Sequence, residues 1–150
     1  MMEVLIALAI VGIIAALALP GMFNGLVRDQ VIESAPLIDT ARKKVAAYWA
    51  FSGTMPDSNI EAGLPPPDKL VGNYVTSIVV RDGVIDVQFG NKASGALAGK
   101  ILTFRPAVVE GTPMVPVAWV CAGTPPPGGM SVRGDDRTNI AAAVLPVNCR

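Results

Sequence analysis

Residues 1–27 read MMEVLIALAIVGIIAALALPGMFNGLV, and this stretch decides how the rest of the chain is interpreted. It contains 21 apolar residues and one charged side chain, Glu3, so the 24 residues from Val4 to Val27 carry no charge. A helix of that length spans about 36 Å, which is enough to cross the hydrocarbon core of a bilayer. The other 123 residues carry 23 charged side chains, an ordinary globular composition. The sequence therefore predicts a membrane-length helix joined to a globular domain.

Three interpretations of this segment compete: a cleaved secretory signal peptide, a plain membrane anchor flanked by Arg28, and a helix that leaves the membrane to pack against copies of itself. A signal peptide begins with basic residues and ends at a small-residue cleavage site, whereas here the first charge is negative and Pro20-Gly21-Met22 lacks such a site. A carboxylate inside an apolar helix costs roughly 2.5–3.5 kcal/mol on insertion scales, so Glu3 favours the third interpretation. The alternative is that Glu3 lies at the membrane interface and stabilises the first turn through the helix dipole.

The segment that follows has the apolar spacing of an amphipathic helix. Pro36 is expected to bend this helix, because proline lacks a backbone donor and clashes with the preceding turn. Gly12 and Pro20 are two further weak points in the apolar half. Ser52-Gly53-Thr54 predicts the helix end near Phe51. The apolar positions are Leu26, Val27, Val31, Ala35, Ile38, Ala41, Val45, Tyr48 and Trp49.

A proline- and glycine-rich connection from Gly53 to Gly72 separates the helix from a region with a period of two. A connection of about 20 residues must pack on the domain or carry function. Arg81-Asp82-Gly83 predicts a hairpin turn, Pro106 is expected to close the third strand, and Pro116 is expected at the start of the fourth strand or at an edge. The predicted strands are Tyr74–Val80, Val84–Phe89, Ile101–Arg105 and Val115–Val120. The fold class is α+β, with a four-stranded antiparallel sheet on the amphipathic half of the helix.

The two cysteines, Cys121 and Cys149, enclose 27 residues near the end of the sequence. They are either two free buried thiols of a cytosolic protein or a disulfide formed after export. The membrane-length helix favours export and hence the disulfide. Closing such a loop would stabilise the fold by roughly 3.5 kcal/mol in the chain-entropy model.

The run from Glu3 to Pro20 resembles the N-terminal segment of type IV pilins, in which a buried glutamate opens an apolar helix with a glycine midway and a proline near its end. Glu3, Gly12 and Pro20 keep the relative spacing of that family. Two residues usually precede the position of Met1, so the chain is similar to a mature pilin without its first two residues. In the related filaments the segment that matches Gly12 to Pro20 is melted, and the resemblance implies the same flexibility here.

The resemblance also implies a division of the chain. The C-terminal cysteine pair is similar to the D-region of type IVa pilins, which favours a pilin over a pseudopilin of type II secretion. The apolar half-helix, residues 1–27, is expected to form the membrane segment and the filament core. The remainder, 28–150, is expected to form a head domain, divided into the amphipathic half-helix 28–51, the αβ-loop 52–73, the sheet 74–120 and the disulfide-bounded D-region 121–149.

Two charged clusters in the head domain have alternative interpretations. Arg42-Lys43-Lys44 is interpreted as a solvated helix face with Asp39 and Glu33 within reach, in preference to a phosphate site. Asp135-Asp136, beside Arg133 and Arg137, is interpreted as a solvated loop with local ion pairs, in preference to an acid pair or a cation site.

The function that these observations predict is that of a structural subunit. The sequence has no histidine and lacks phosphate-loop, zinc and nucleophile motifs, so neither an enzyme nor a cofactor is expected. The resemblance implies a pilus subunit that polymerises through its N-terminal helix, for adhesion, twitching motility or DNA uptake. Before assembly it would lie in the inner membrane with a periplasmic head, as a client of prepilin peptidase and the assembly platform. Glu3 would meet the N-terminal amine of a neighbouring copy.

Three other functions stay open at this point. One is a minor pilin that acts as a DNA receptor, for which Arg133, Arg137 and Arg150 would supply a weak basic strip. Another is a type II secretion pseudopilin, and the third is a membrane-anchored periplasmic protein of unrelated function. Other surface ligands of the filament also stay open.

Overall fold

The computed structural model of the chain describes residues 1–19 and 21–150, so the expectation for Pro20 lies outside the described residues. The N-terminal half forms two consecutive helices, α1 (Met2–Glu33) and α2 (Ala35–Ser52). They meet at Ser34, whose N–H bonds Val31 O as in a tightened final turn. Pro36 stands in the first turn of α2, where the missing N–H removes no helical hydrogen bond. Where a bend at Pro36 within one long helix was predicted, the structure has a break at Ser34 between two helices.

The buried face of α2 follows the predicted spacing. Ile38, Ala41, Val45 and Trp49 are buried, and Val27 and Val31 continue this face onto the end of α1. Of the other predicted positions, Leu26 is exposed, while Ala35 and Tyr48 are half-buried. The helix ends one residue after the predicted Phe51, because Gly53 at φ +73° turns the chain away while its N–H bonds Trp49 O at 2.9 Å.

The first two strands are the predicted hairpin. They are β1 (Val75–Arg81) and β2 (Val84–Phe89), paired antiparallel with Arg81 opposite Val84. Asp82 at φ 49° and Gly83 at φ 75° form the two-residue turn, in the left-handed conformation that matches the twist of a hairpin.

The rest of the sheet differs from the expectation at two strand ends and in one added strand. Strands β3 (Ile101–Val108), β4 (Ala118–Cys121) and β5 (Ser131–Val132) give the order β1-β2-β3-β4, with β5 paired to β3. The prediction that Pro106 closes β3 was wrong. Pairing with β2 stops at Phe104 and pairing with β5 starts at Ala107, on the same edge of β3. Pro106 lies in the gap between them, where no N–H is required.

Strand β4 begins later than predicted, and β5 was not predicted at all. Val115 bonds Thr112 O through its N–H, so the residues before Pro116 form a turn and only Ala118–Cys121 pair with β3. Strand β5 has two residues, which is too short to show a period of two in the sequence.

The core lies between the helical layer and one face of the sheet, which is the predicted α+β arrangement. Ile38, Val45 and Trp49 pack with Ile78, Val87 and Leu102 in one apolar cluster. The connection after α2 also packs on the sheet. Buried Asn59 accepts from Val80 N at 2.7 Å and donates to Ile78 O at 2.8 Å, which satisfies the free edge of β1.

Candidate assembly surface

The N-terminal part of α1 presents apolar side chains in every direction. The helix is long and apolar enough to cross a membrane, and none of its described residues from Met2 to Leu26 is buried in the head domain. The exposed large apolar residues of α1 are Met2, Val4, Leu5, Ile6, Leu8, Ile10, Val11, Ile13, Ile14, Leu17, Leu19, Met22, Phe23, Leu26 and Ile32. A continuous apolar cylinder of this kind marks a surface that lipid or other protein must cover.

Glu3 is exposed in the first turn of α1, at the end of this cylinder farthest from the head domain. It is the only charged residue before Arg28 in the sequence. In the single subunit the helix runs through Gly12, with open space around that residue. The melted segment implied by the resemblance concerns the filament, so the flexibility of Gly12 stays a prediction.

The D-region is closed by the predicted disulfide. Cys121 at the end of β4 and Cys149 in a 3₁₀ turn are bonded, with their Cα atoms 4.8 Å apart, and both are buried. The prediction that favoured the disulfide over free thiols is confirmed. The bond ties the end of the D-region to an edge strand of the sheet.

A buried polar cluster holds the D-region on the other face of the sheet. Asp86 on β2 accepts from the hydroxyl of Thr103 and from Arg81 Nε, each at 2.7 Å. The Thr103 oxygen in turn accepts from Arg137 N at 3.1 Å, and Arg81 donates to Asp135 O at 3.0 Å. Since Asp86 and Thr103 are both buried, their hydrogen bonds fix the chain around residues 135–137 on the sheet.

Arg42 differs from the solvated side chain that was expected. Its guanidinium lies 4.1 Å from the centroid of the Phe104 ring and 5.9 Å from that of Trp119, a cation–π arrangement. Burial lowers the pKa of Arg42, against the opposing effect of Asp39 at 3.1 Å. Lys43 and Lys44 are exposed as predicted, and Arg42 packs against the core.

The acid pair Asp135-Asp136 also has other partners than its arginine neighbours in sequence. Arg133 pairs with Glu110 at 2.7 Å, and Arg137 lies 3.8 Å from Asp86. Asp136 accepts from Thr138 N, which is a local turn contact. The predicted solvated loop is correct in kind, but its ion pairs reach across to β2 and to the β3–β4 connection.

Among the residues that the structure describes, no group of three or more His, Cys, Asp or Glu side chains is placed to hold a metal ion.

Arg133 also lies over the ring of Trp49, 5.2 Å from its centroid. The arginines thus make specific contacts within the head domain.

Sequence reasoning missed two polar anchors, Asp86 and Arg28. Asp86 interrupts the apolar run Val84–Phe89 as the single acid in a buried strand, and that position was the available signal. Arg28 was interpreted only as a flanking charge. Its contacts are to main-chain oxygens more than a hundred residues away, for which the sequence contains no signal.

Comparison with known proteins places the chain in a family. The family model Pilin, a bacterial filament protein, matches residues 27–150. A fimbrial protein of Neisseria meningitidis serogroup B is 31% identical over 159 residues, which is 100% of this chain and 91% of that protein. A type IV major pilin protein of Neisseria gonorrhoeae is 32% identical over 157 residues, covering 100% and 84%. A fimbrial protein of Eikenella corrodens is 29% identical, covering 100% and 88%. The chain therefore belongs to the pilin family and is a type IV pilin.

Proposed function

We propose that this pilin polymerises through α1 into an extracellular filament of which it is the major subunit. The observation that carries the proposal is the apolar cylinder of α1, whose large apolar side chains from Met2 to Leu26 are exposed. Pilins are structural subunits and not enzymes, so the relevant chemistry is that of packing. The relatives named as major pilins support the major-subunit role.

The membrane and the filament core are two successive environments for the same helix. Before assembly, α1 lies in the inner membrane with the head domain in the periplasm, and prepilin peptidase and the assembly platform act on it there. Lipid tails are as apolar as leucine, so the exchange of lipid for neighbouring helices gains little hydrophobic free energy. Close packing and polar pairing must therefore direct assembly. The filament then serves adhesion, twitching motility and DNA uptake.

Glu3 supplies the polar pairing in this scheme. In the filament core its carboxylate meets the N-terminal amine of a neighbouring copy, and each charge compensates the other, because either alone is costly in an apolar core. Flexibility between Gly12 and Pro20 lets the apolar half-helix adjust as the copies pack. Neighbouring subunits are thus set in axial register by one charge pair per contact.

The test removes the carboxylate of Glu3 and measures both membrane insertion and filament assembly. Glu3→Ala is expected to insert into the membrane as the wild type does, because it removes a charge from an apolar segment. The same variant is expected to lose most filaments, as counted by electron microscopy of sheared material with its subunit identified by mass spectrometry. The matched control is Asp29→Asn, which neutralises an exposed acid of α1 outside the apolar stretch and should keep normal piliation. Wild-type filament numbers in Glu3→Ala would contradict the proposal.

A further inference from the structure

Among the residues of α1 that the structure describes, the buried positions lie in its last two turns. Val27 and Val31 are buried in the core, whereas the large apolar side chains nearer the N-terminus are exposed. Directly after these turns comes the break at Ser34. The direction in which α1 leaves the head domain therefore depends on the contacts made between Val27 and Glu33.

Three polar side chains in these turns reach three different parts of the head domain. Glu33 accepts from Asn73 Nδ2 at 2.9 Å, and Gln30 accepts from Ser94 N at 2.9 Å. Arg28 donates from Nε to Leu145 O at 3.2 Å and from Nη2 to Ala143 O at 3.1 Å. Of the three side chains, Arg28 is farthest along the helix from Ser34. Because its contact lies farthest from the break, it opposes a change in the tilt of α1 most effectively.

The segment that receives Arg28 is itself fixed at both ends, and we name residues 140–148 the C-terminal strap. Before the strap, Asn139 pairs with Ile101 on β3, donating from N at 3.1 Å and accepting through Oδ1 at 2.7 Å. After the strap, Cys149 is bonded to Cys121 on β4. The position of the strap is therefore set by the sheet, and Arg28 transmits that position to α1.

The underside of the strap completes this connection with apolar contacts. Ile140, Val144 and Leu145 are buried in the same cluster as Val27 and Val31. Arg150 Nε also donates to Leu145 O, at 3.1 Å, so this carbonyl accepts from two guanidinium groups. The strap thus contacts α1 through both a packed apolar surface and charged hydrogen bonds.

Small changes of tilt at Ser34 have large effects at the other end of α1. The 32 residues of α1 span about 48 Å at 1.5 Å per residue, so a tilt of about 10° moves the N-terminus by about 8 Å. That displacement equals the distance of about 8–10 Å between the axes of packed helices. Single subunits with a loosely held α1 would therefore enter assembly with their apolar helices out of lateral register.

We propose that Arg28 is a positioning residue for assembly: together with the C-terminal strap it sets the angle at which α1 leaves the head domain. The assembly part of this proposal rests on the filament function proposed above. The angle itself is a property of the single subunit and is tested without filaments.

The experiment measures distances between two spin labels in the full-length chain in detergent micelles. The labels are attached to ketone-bearing unnatural residues, because thiol labels would compete with the disulfide. One pair joins exposed Leu17 on α1 to exposed Lys43 on α2, and a second pair, Lys43 to Lys100, reports on the head domain alone. The wild type is expected to give one narrow distribution for each pair.

Arg28→Met keeps an unbranched apolar stem up to the position of Nε and removes the donors. This variant is expected to broaden the Leu17–Lys43 distribution at least twofold and to leave the Lys43–Lys100 distribution unchanged. Arg28→Lys, which keeps the charge and a single donor atom, is expected to give an intermediate width. Removing both cysteines (Cys121→Ser with Cys149→Ser) should broaden the first pair like Arg28→Met, since the strap then loses its second anchor. Lys44→Met removes an exposed cation of α2 and should change neither pair.

Two results would overturn the proposal that Arg28 sets the angle of α1. An unchanged Leu17–Lys43 distribution in Arg28→Met would show that the strap does not set the angle. Broadening of both pairs together would show that Arg28 serves only the stability of the head domain. For the assembly part, Arg28→Met should reduce filament number at least tenfold in cells that assemble the wild type, and normal filaments beside a broadened angle would refute it. A wild type without filaments would instead refute the proposed function and leave the angle measurement standing.

Discussion

At the scale of single residues, two arginine–carboxylate pairs of equal length have different surroundings. Arg81–Asp86 and Arg133–Glu110 both measure 2.7 Å, but the side chain of Asp86 is 9% exposed and that of Glu110 is 55% exposed. Asp86 also accepts from the buried hydroxyl of Thr103. Removing a buried acceptor with several donors costs far more stability than removing one partner of an exposed ion pair, because the buried donors are left without partners.

We therefore expect Asp86→Ala to lower the free energy of unfolding of the subunit by about 3 kcal/mol, through the stranded Thr103 hydroxyl and Arg81. The matched variant Glu110→Ala removes an exposed partner and should cost less than about 1 kcal/mol. Urea denaturation of the two variants measures the difference. Equal losses would mean that burial does not distinguish the two pairs.

Tyr48 and Glu61 form a further hydrogen bond to a carboxylate, at an exposed site. The Tyr48 hydroxyl donates to Glu61, whose other oxygen accepts from Asp57 N at 2.6 Å. This hydrogen bond from Tyr48, followed by the one from Asp57, lowers the pKa of Glu61, and it raises the pKa of Tyr48. The pair thus ties α2 to the αβ-loop in the pH range in which Glu61 is ionised and Tyr48 is neutral.

At the scale of elements, the β1–β2 hairpin depends on a glycine for two separable reasons. Gly83 has φ +75°, and a Cβ built on it would lie 2.6 Å from the Met55 sulfur. Gly99 has nearly the same backbone angle, φ +73°, but open space around it. Gly99 therefore measures the conformational requirement by itself.

Gly99→Ala is expected to cost about 1–2 kcal/mol, the strain of a left-handed alanine. Gly83→Ala should cost about 1–3 kcal/mol more, because Met55 must also move out of a packed site. Thermal unfolding of the two variants against the wild type provides the comparison. Equal melting temperatures of the two alanine variants would show that the contact with Met55 adds nothing to the cost of Gly83→Ala.

The elements differ in how far the sequence predicted them. Strand β2 and the C-terminal end of α2 have clear boundary signals in Asp82-Gly83 and Gly53, so these limits were predicted to within one residue, whereas the start of α2 at Ala35 was not predicted. The ends of β3 and β4 depend on which neighbouring strand stops where. That information is absent from local sequence, which is why Pro106 was interpreted wrongly as a strand end.

At the scale of the whole molecule, the D-region is a long irregular segment fixed at a few points. Its 28-residue separation between cysteines includes a two-residue strand and two 3₁₀ turns. The fixed points are the Asp86 cluster, the Asn139 pairing and the disulfide. Such a segment has few hydrogen bonds of regular secondary structure. Each attachment to the sheet is therefore important for holding it in one conformation.

Loss of the disulfide is expected to be the most destabilising single change of this kind. Cys121→Ser should lower the free energy of unfolding by about 3.5 kcal/mol, because the unfolded chain regains the entropy of the open loop. Chemical denaturation under oxidising conditions measures it, with the double variant Cys121→Ser and Cys149→Ser as a control for the lone thiol. A free energy of unfolding equal to that of the wild type would contradict this expectation.

The candidate assembly surface was largely predictable from composition. A stretch of 24 residues without charge specifies an apolar surface in any helix, so the exposed cylinder of α1 follows directly from the sequence. Its connection to the head domain was not predictable. Arg28 contacts Ala143 and Leu145 across a sequence separation of more than a hundred residues, and no local pattern records such a contact.

The sequence by itself determined the membrane-length helix, the two-layer α+β fold class and the family resemblance, because these depend on periodicity, charge content and short motifs. The tertiary structure alone decided that Arg42 stacks on Phe104, that Asp86 anchors the D-region and that the C-terminal strap holds α1. The physical reason is that hydrogen bonds and packing of single polar side chains depend on distances between segments far apart in the chain. Periodicity predicts which face of an element is buried, whereas only the folded chain decides which partners meet there.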